Sequence, residues 1–272
     1  PTVPPPFRCG FAPRPCLQAQ TGHAVPYANP QQEPDMPAKQ DPIDLYFWPT
    51  PNGWKASVAL EEMGLPYTLH LIDIGAGDQF KPEFLKLSPN NRMPAITDPD
   101  GPDGAPISLF ESGAILQYLA RKTGRFYGST ERDRIAVDQW LMWQMGGVGP
   151  MAGQAHHFLK YAPAMDPPQD LPYAKDRYRN EVARLYGVLD RQLARTEFAA
   201  GDFFSIADMA IWPWAWLWEG QQQTLEDKPH LARWLDIVGA RDGVIKGRAL
   251  AAEKRRNIQD SRSAQNVLFK RP

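Results

Sequence analysis

Cysteine is nearly absent from this chain of 272 residues. Its two cysteines, Cys9 and Cys16, both lie near the beginning of the sequence, and none follows from residue 17 onward. A cysteine side chain is needed for a protein-borne CxxC redox pair, for a cysteine nucleophile and for a zinc–thiolate site. The composition therefore excludes these three kinds of site from the rest of the chain, and it favours a reducing compartment such as the cytoplasm.

An excess of charge is missing as well. The 30 basic and 31 acidic residues leave a formal net charge of −1, so the charge balance favours neither nucleic acid nor an anionic membrane as a partner. No apolar run reaches the ~18 residues of a transmembrane helix. What the sequence does contain is 43% hydrophobic residues, with nine tryptophans among them. That content is enough to fill the core of one large or two modest domains.

The chain divides into four predicted regions. Residues 1–41 are rich in proline and polar residues and lack apolar periodicity, which predicts a disordered or draped extension. Residues 42–124 alternate predicted strands and helices, and residues 130–245 are predicted to be helical throughout. Residues 246–272 are predicted to form a polar tail. Because the sequence is basic and polar from Gly243 onward, we expect this last part to wrap the surface.

Alternating apolar residues and turn-forming residues locate the individual elements. The predicted strands of the first half are Ile43–Trp48, Tyr67–Ile72, Pro94–Thr97 and Ile107–Phe110, and its predicted helices are Gly53–Met63, Pro82–Leu87 and Ser112–Lys122. The predicted helices of the second half are Arg132–Met145, Tyr173–Leu193, one that opens at Ser205–Asp208 and carries Trp212, Trp214, Trp216 and Trp218, and His230–Val238. The order β-α-β-α-β-β-α predicts an α/β thioredoxin-like domain, followed by an all-α domain.

The segment Thr50-Pro51-Asn52-Gly53 stands where the first predicted strand gives way to the first helix. A helix N-terminus presents free N–H groups and the positive end of the helix dipole, so it favours an anion. In a thiol-binding fold that anion can be a thiolate, to which a threonine hydroxyl and an asparagine amide would add two donors. Asparagine and glycine are equally common in ordinary capping turns, so this segment alone leaves both interpretations open.

Four features together resemble the glutathione transferases over roughly residues 42–245. They are the strand–turn–helix with Thr50 and Asn52, the run Asn91-Arg92-Met93-Pro94 where that family has its cis-proline, Phe110-Glu111-Ser112-Gly113 at a helix start, and the capping box Ser205-Ile206-Ala207-Asp208. Further runs, such as Ser88-Pro89-Asn90-Asn91 and Ile211-Trp212-Pro213-Trp214, resemble the nu class. That class is similar to the C-terminal domain of the yeast nitrogen-regulator prion protein.

The resemblance implies that glutathione, reduced or as its disulfide, is the ligand. No metal is expected, because the adjacent His156 and His157 would not share one face of a helix. The resemblance also implies that Thr50 and Asn52 form the catalytic pair that holds the sulfur. The other implied glutathione-binding residues are Gln79, Arg92, Met93, Pro94, Glu111, Ser112 and Arg177. Glu111 would accept from the γ-glutamyl ammonium and Ser112 would bind the γ-glutamyl carboxylate. Met93, in a cis bond to Pro94, would pair with the ligand's main chain.

The remaining implied contacts have ordinary structural alternatives. Arg92 and Gln79 would reach the glycine carboxylate of the ligand, but each could equally be a solvated side chain. Arg177 would reach a second glutathione, or it could form a surface salt bridge. The Glu111-Ser112 pair could be a plain helix cap.

Three functions follow from the resemblance. The first is a thiol–disulfide oxidoreductase that uses bound glutathione instead of a protein cysteine, with weak transferase or peroxidase activity. The second is a glutathione S-transferase that conjugates electrophiles, and the third is a non-catalytic glutathione-binding regulatory protein. Small-molecule thiols, disulfides or electrophiles are the expected partners, and a two-fold homodimer is implied.

Overall fold

The computed structural model describes residues 41–255 and 261–269. The predicted extension, apart from Asp41, lies outside these residues, as do Cys9 and Cys16. A four-stranded sheet is formed by β1 (Ile43–Phe47), β2 (Tyr67–Leu71), β3 (Ala95–Asp98) and β4 (Ile107–Phe110). The strand order is β2-β1-β3-β4, with β1 parallel to β2 and antiparallel to β3, and with β3 antiparallel to β4. The predicted thioredoxin-like arrangement is confirmed.

Ten α-helices complete the described part of the chain. Those of the first half are α1 (Pro51–Met63), α2 (Pro82–Leu85) and α3 (Ser112–Thr123). Those of the second half are α4 (Glu131–Trp143), α5 (Gly149–His156), α6 (Pro172–Leu193), α7 (Ile206–Ala215), α8 (Pro229–Gly239), α9 (Asp242–Ala249) and α10 (Arg262–Phe269). Two π-helical turns, Gln144–Val148 and His157–Tyr161, flank α5.

Helix α1 lies between the sheet and the helical half. It starts at the N-cap Thr50 and ends at Gly64, whose φ of 67° is the left-handed conformation that glycine adopts without strain. Every residue from Gly53 to Leu60 is buried. A helix buried on all sides must have partners on all sides, and α1 packs against β1, α3, α7 and α9.

Helix α9 corrects the expectation of a surface-wrapping segment from Gly243 onward. The helix crosses the predicted limit between residues 245 and 246 and packs tightly on α1. A Cβ atom on Gly247 would lie 2.6 Å from the backbone nitrogen of Val58, and one on Gly243 would lie 2.6 Å from Cγ of Glu62. The two glycines, four residues apart, form the face that lets the backbones approach. A hydrophobicity pattern cannot reveal such a face, because glycine contributes no apolar side chain.

The capping box that opens α7 is confirmed. Ser205 and Asp208 bond each other's backbone N–H groups across the first turn. The helix ends at Ala215, earlier than the four alternating tryptophans indicated. Trp212 is fully buried as expected, whereas Trp218 belongs to the following 3₁₀ turn and is half-buried.

Candidate functional site

Thr50 presents its hydroxyl at the N-terminus of α1. The hydroxyl oxygen accepts a hydrogen bond from the backbone N–H of Gly53 at 3.2 Å. The hydroxyl proton points to the thioether sulfur of Met93, 3.7 Å away. A thioether is a weak acceptor, so a stronger acceptor such as a thiolate can replace it and accept the hydrogen bond from this hydroxyl. The threonine is therefore already oriented as a donor.

Asn52 is held by a residue of the helical half. Its side-chain oxygen accepts a hydrogen bond from the indole N–H of Trp214 at 3.0 Å. An asparagine amide has one acceptor and two donors. With the oxygen bound to the indole, the NH₂ group is the part left to meet a ligand. The sequence-based prediction missed Trp214, because a contact across 162 residues leaves no local signal.

The peptide bond between Met93 and Pro94 is cis, as the family resemblance implied. The Met93 side chain folds over the start of α1, where its sulfur also accepts from the backbone N–H of Trp48 at 3.2 Å. The structure thus brings Met93 and Thr50 together at one corner. The pairing of the Met93 main chain with a ligand stays a prediction.

Glu111 and Ser112 form a second polar corner at the start of α3. Glu111 is exposed and has φ 69° and ψ 113°, a conformation that costs a non-glycine residue on the order of 1–3 kcal/mol. Ser112 is the first residue of the helix and is buried. The pair therefore places a carboxylate beside a helix N-terminus. This arrangement suits a ligand with an ammonium and a carboxylate on the same carbon.

Three predicted binding residues have less direct support. Gln79 is buried, and its amide nitrogen donates to the carbonyl of Ile74 at 3.1 Å. Arg92 is exposed. Arg177 is exposed on α6 and is not among the residues that line the large cavity described next. The roles predicted for these three residues in binding glutathione stay predictions.

A cavity of about 1040 Å³ opens beside the Thr50 corner. Its walls include Trp48, Thr50, His156, Tyr161, Trp214 and Trp216. Burial lowers the pKa of His156 to about 4, so this imidazole is neutral at physiological pH and adds no positive charge. The walls therefore combine aromatic side chains with charged ones, among them Asp73, Lys160 and Arg255, and leave room for an organic molecule beside the Thr50 hydroxyl.

Two further properties bear on the kind of site. In the part of the chain that the structure describes, no group of three His, Cys, Asp or Glu side chains is arranged to hold a metal ion. Within residues 41–255 and 261–269, no helix is long and apolar enough to cross a membrane.

Comparison with known proteins identifies relatives for both halves. Residues 50–122 match the family described as glutathione S-transferase, N-terminal domain, and residues 153–242 match the glutathione S-transferase C-terminal domain. The disulfide-bond oxidoreductase YfcG of Escherichia coli (strain K12) is 50% identical over 200 residues, which cover 73% of this chain and 91% of YfcG. The disulfide-bond oxidoreductase YghU of the same organism is 39% identical over 236 residues, with 82% and 80% covered.

A solved structure shows a similar chain with a ligand. The glutathione transferase from Pseudomonas putida, with one glutathione disulfide bound per subunit, superposes with a TM-score of 0.73 at 42% identity. The match covers 79% of this chain and 94% of that one.

Proposed function

The chain belongs to the glutathione S-transferase family, and from this premise we propose that it is a glutathione-dependent thiol–disulfide oxidoreductase. The observation that carries the proposal is the corner at the start of α1. There, a threonine hydroxyl and an asparagine amide are both set as donors, with no cysteine between residue 17 and the end of the chain. YfcG and YghU, both named as disulfide-bond oxidoreductases, support this choice.

The donors act on the sulfur of glutathione. Hydrogen bonds to a thiolate stabilise the charged form and so lower the pKa of the thiol. Thr50 and Asn52 would donate two such bonds, and the N-terminus of α1 would add its positive dipole end. Glu111 and Ser112 would hold the γ-glutamyl end. The site thereby fixes both a reactive sulfur and the group by which the tripeptide is recognised.

Two exchanges complete the reaction. In the first, the glutathione thiolate forms a bond to one sulfur of a substrate disulfide, the original S–S bond breaks, and the other sulfur leaves as a thiolate that takes a proton from solvent. In the second, another glutathione thiolate attacks the mixed disulfide and releases the second substrate thiol. Two glutathiones become glutathione disulfide, and both sulfurs of the substrate are reduced.

Conjugation of electrophiles is the second candidate, and the cavity beside Thr50, whose walls include four tryptophans, favours it. An apolar electrophile could occupy this cavity and be attacked by the same thiolate. Conjugation and disulfide exchange use the same nucleophile and differ in what fills the cavity.

The test compares reduction of 2-hydroxyethyl disulfide with conjugation of a chloronitrobenzene, for the wild type, Thr50→Ala and Thr50→Ser. For the wild type we expect fast reduction and feeble conjugation. Thr50→Ala should lower the rate of reduction by about tenfold or more, because the hydroxyl donates a charge-assisted hydrogen bond worth roughly 1.5–3 kcal/mol. Thr50→Ser, which keeps the hydroxyl, should recover that rate. Thr130→Ala is the matched control. Thr130 is also an N-cap, and it accepts from the backbone N–H of Asp133 at the start of α4.

The control removes the same kind of cap, worth about 1 kcal/mol of stability, away from the Thr50 corner. An equal loss in Thr50→Ala and Thr130→Ala would mean that the hydroxyl of Thr50 only caps its helix. Fast conjugation with slow reduction would assign the chain to the conjugating class. If the protein showed neither activity, a non-catalytic binding role would remain.

A homodimer is also proposed. Ile135 and Met142 are 53% and 52% exposed and lie seven residues apart on α4, and Phe110 on β4 is 38% exposed. Residues seven apart share one face of a helix, so these side chains offer apolar surface that a second subunit would cover. In such a dimer, either subunit could supply Arg177. A cytoplasmic location stays a prediction.

A further inference from the structure

A buried lysine lies directly behind the N-terminus of α3. Lys55, on α1, is only 1% exposed. Its ammonium nitrogen is 2.8 Å from Oε1 of Gln144, 3.4 Å from Oγ of Ser112 and 3.6 Å from Sδ of Met145. An ammonium has three protons, and each of these acceptors can take one. All three acceptors are neutral, so the hydrogen bonds are satisfied while the positive charge has no anion in direct contact.

The surrounding elements supply little negative charge. Helix α1 packs against β1, α3, α7 and α9, and Lys55 also contacts the turn Gln144–Val148, which has no titratable residue. The titratable side chains of the four elements are Asp44 and Tyr46 on β1, Glu111 before α3 with Tyr118, Arg121 and Lys122 within it, Asp208 on α7, and Asp242, Lys246 and Arg248 on α9.

Among these groups, Glu111 acts on Lys55. Burial lowers the pKa of Lys55 to about 7, and the negative charge of Glu111 offsets only part of that effect. A lysine that is easily deprotonated at neutral pH responds to any further anion that approaches it.

We propose that Lys55 is a positioning residue for the γ-glutamyl carboxylate of glutathione, an inference that rests on the proposed function. The ammonium donates to the oxygen of Ser112, so the hydroxyl proton of Ser112 faces away from Lys55. That proton is directed to the weak thioether acceptor of Met145, 3.7 Å away. A ligand carboxylate at the N-terminus of α3 is a stronger acceptor and would accept this hydrogen bond in place of the thioether. It also brings the anion that the buried ammonium lacks.

Deprotonation of Lys55 reverses this orientation. A neutral amine has a lone pair and can accept a hydrogen bond from the Ser112 hydroxyl, which then no longer donates to the ligand. Binding of the carboxylate therefore favours the protonated form and raises the pKa of Lys55. Between the ligand-free and ligand-bound pKa values the protein takes up a proton on binding, and the affinity falls as the pH rises above about 7.

The test measures binding of S-methylglutathione, which has no thiol to ionise, by titration calorimetry at pH 6.5, 7.5 and 8.5 in buffers of different ionisation enthalpy. If the carboxylate raises the pKa of Lys55 from about 7 by about one unit, the affinity is on the order of fivefold weaker at pH 8.5 than at pH 6.5. Proton uptake of a substantial fraction of one proton accompanies binding near pH 7.5.

Two variants separate positioning from structure. Lys55→Met keeps the length of the side chain and should bind S-methylglutathione more weakly, without the lysine-linked pH dependence. In the reduction of 2-hydroxyethyl disulfide, it should change the KM for glutathione more than it changes kcat. Ser57→Ala is the matched control, since Ser57 is also buried on α1 but donates to the carbonyl of Gly247 at 2.7 Å. It should keep the pH dependence of the wild type, whatever stability it loses.

A second ligand keeps the test decisive if Lys55→Met does not fold. The S-methyl analogue in which 4-aminobutyrate replaces the γ-glutamyl residue lacks the relevant carboxylate, and the wild type should bind it without proton uptake. Two results would overturn the role of Lys55 but not the proposed function. One is equal affinity of the wild type for S-methylglutathione at pH 6.5 and 8.5 with no proton uptake. The other is a dependence of affinity on pH that is the same in Lys55→Met as in the wild type. Failure of the wild type to bind S-methylglutathione at every pH would overturn the proposed function as well.

Discussion

Replacing Trp214 by phenylalanine tests whether the helical half orients the amide of Asn52, which we propose to bind the sulfur of glutathione. The indole N–H of Trp214 donates to the side-chain oxygen of Asn52 at 3.0 Å. Phenylalanine keeps an aromatic ring in the cavity wall and removes the indole N–H, together with the part of the indole that faces Gly153. The amide of Asn52 then loses the contact that distinguishes its oxygen from its nitrogen, and it can rotate so that the oxygen faces the ligand's sulfur.

The size of the effect follows from the two bonds concerned. Loss of one neutral hydrogen bond costs about 1 kcal/mol, which corresponds to roughly fivefold in kcat/KM. The upper limit is the loss in Asn52→Ala, which removes a donor to a thiolate and is expected to cost about 1.5–3 kcal/mol, or roughly 10- to 150-fold. We therefore expect Trp214→Phe to lower kcat/KM for 2-hydroxyethyl disulfide by about fivefold. The apparent pKa of the bound thiol should rise by less than one unit.

A double-mutant cycle gives the decisive measurement. If Trp214 acts through Asn52, Trp214→Phe has no further effect on kcat/KM once Asn52 is alanine. Trp216→Phe is the matched control, because Trp216 lines the same cavity and stacks on Trp212 with ring centroids 5.0 Å apart. The same fivefold loss from Trp214→Phe in both backgrounds would refute the argument, and so would an equal loss in Trp216→Phe.

Three further predictions concern stability and assembly. Gly247→Ala should lower the melting temperature in a thermal scan, since its Cβ would lie 2.6 Å from the backbone nitrogen of Val58, whereas Gly146→Ala, with nothing within 4 Å, should not. Asp208→Asn should destabilise the fold by about 2–4 kcal/mol in denaturant titrations. Each buried carboxylate oxygen of Asp208 accepts two hydrogen bonds, and an amide NH₂ can accept none. An unchanged free energy of unfolding would contradict this reasoning. Ile135→Glu should convert the proposed dimer to monomers in light scattering, and an unchanged mass would place the interface elsewhere.

Local signals in the sequence were enough to predict most of the fold. Strand β4 was predicted with its observed bounds, and α1, α3 and α6 were within two residues at each end. Ser205 and Asp208 predicted the start of α7, since a capping box is a local arrangement of side chains and adjacent N–H groups. The Thr50 corner was predicted for the same reason, because an N-cap and its helix are continuous in sequence.

What the sequence did not reveal depends on residues that meet only after folding. The bond between Trp214 and Asn52 joins residues 162 positions apart, and the burial of Lys55 depends on the turn after α4. The sequence around a lysine in a helix does not show whether its ammonium reaches solvent. The fit of α9 on α1 depends on the space around Gly247, which composition does not encode.

These long-range contacts all converge on one helix. Along α1, Asn52 is bonded to Trp214 of α7, Lys55 to Gln144 after α4, and Ser57 to the backbone of α9. The helix that presents the proposed sulfur-binding donors belongs to the thioredoxin-like half by sequence, yet three of its polar side chains are held by the helical half. Without that half, Lys55 would lose its strongest acceptor and the Asn52 amide would be free to turn. The proposed binding site is therefore a property of the packing between the two halves, and substitutions in α7 or in the turn after α4 should alter glutathione chemistry without touching the ligand.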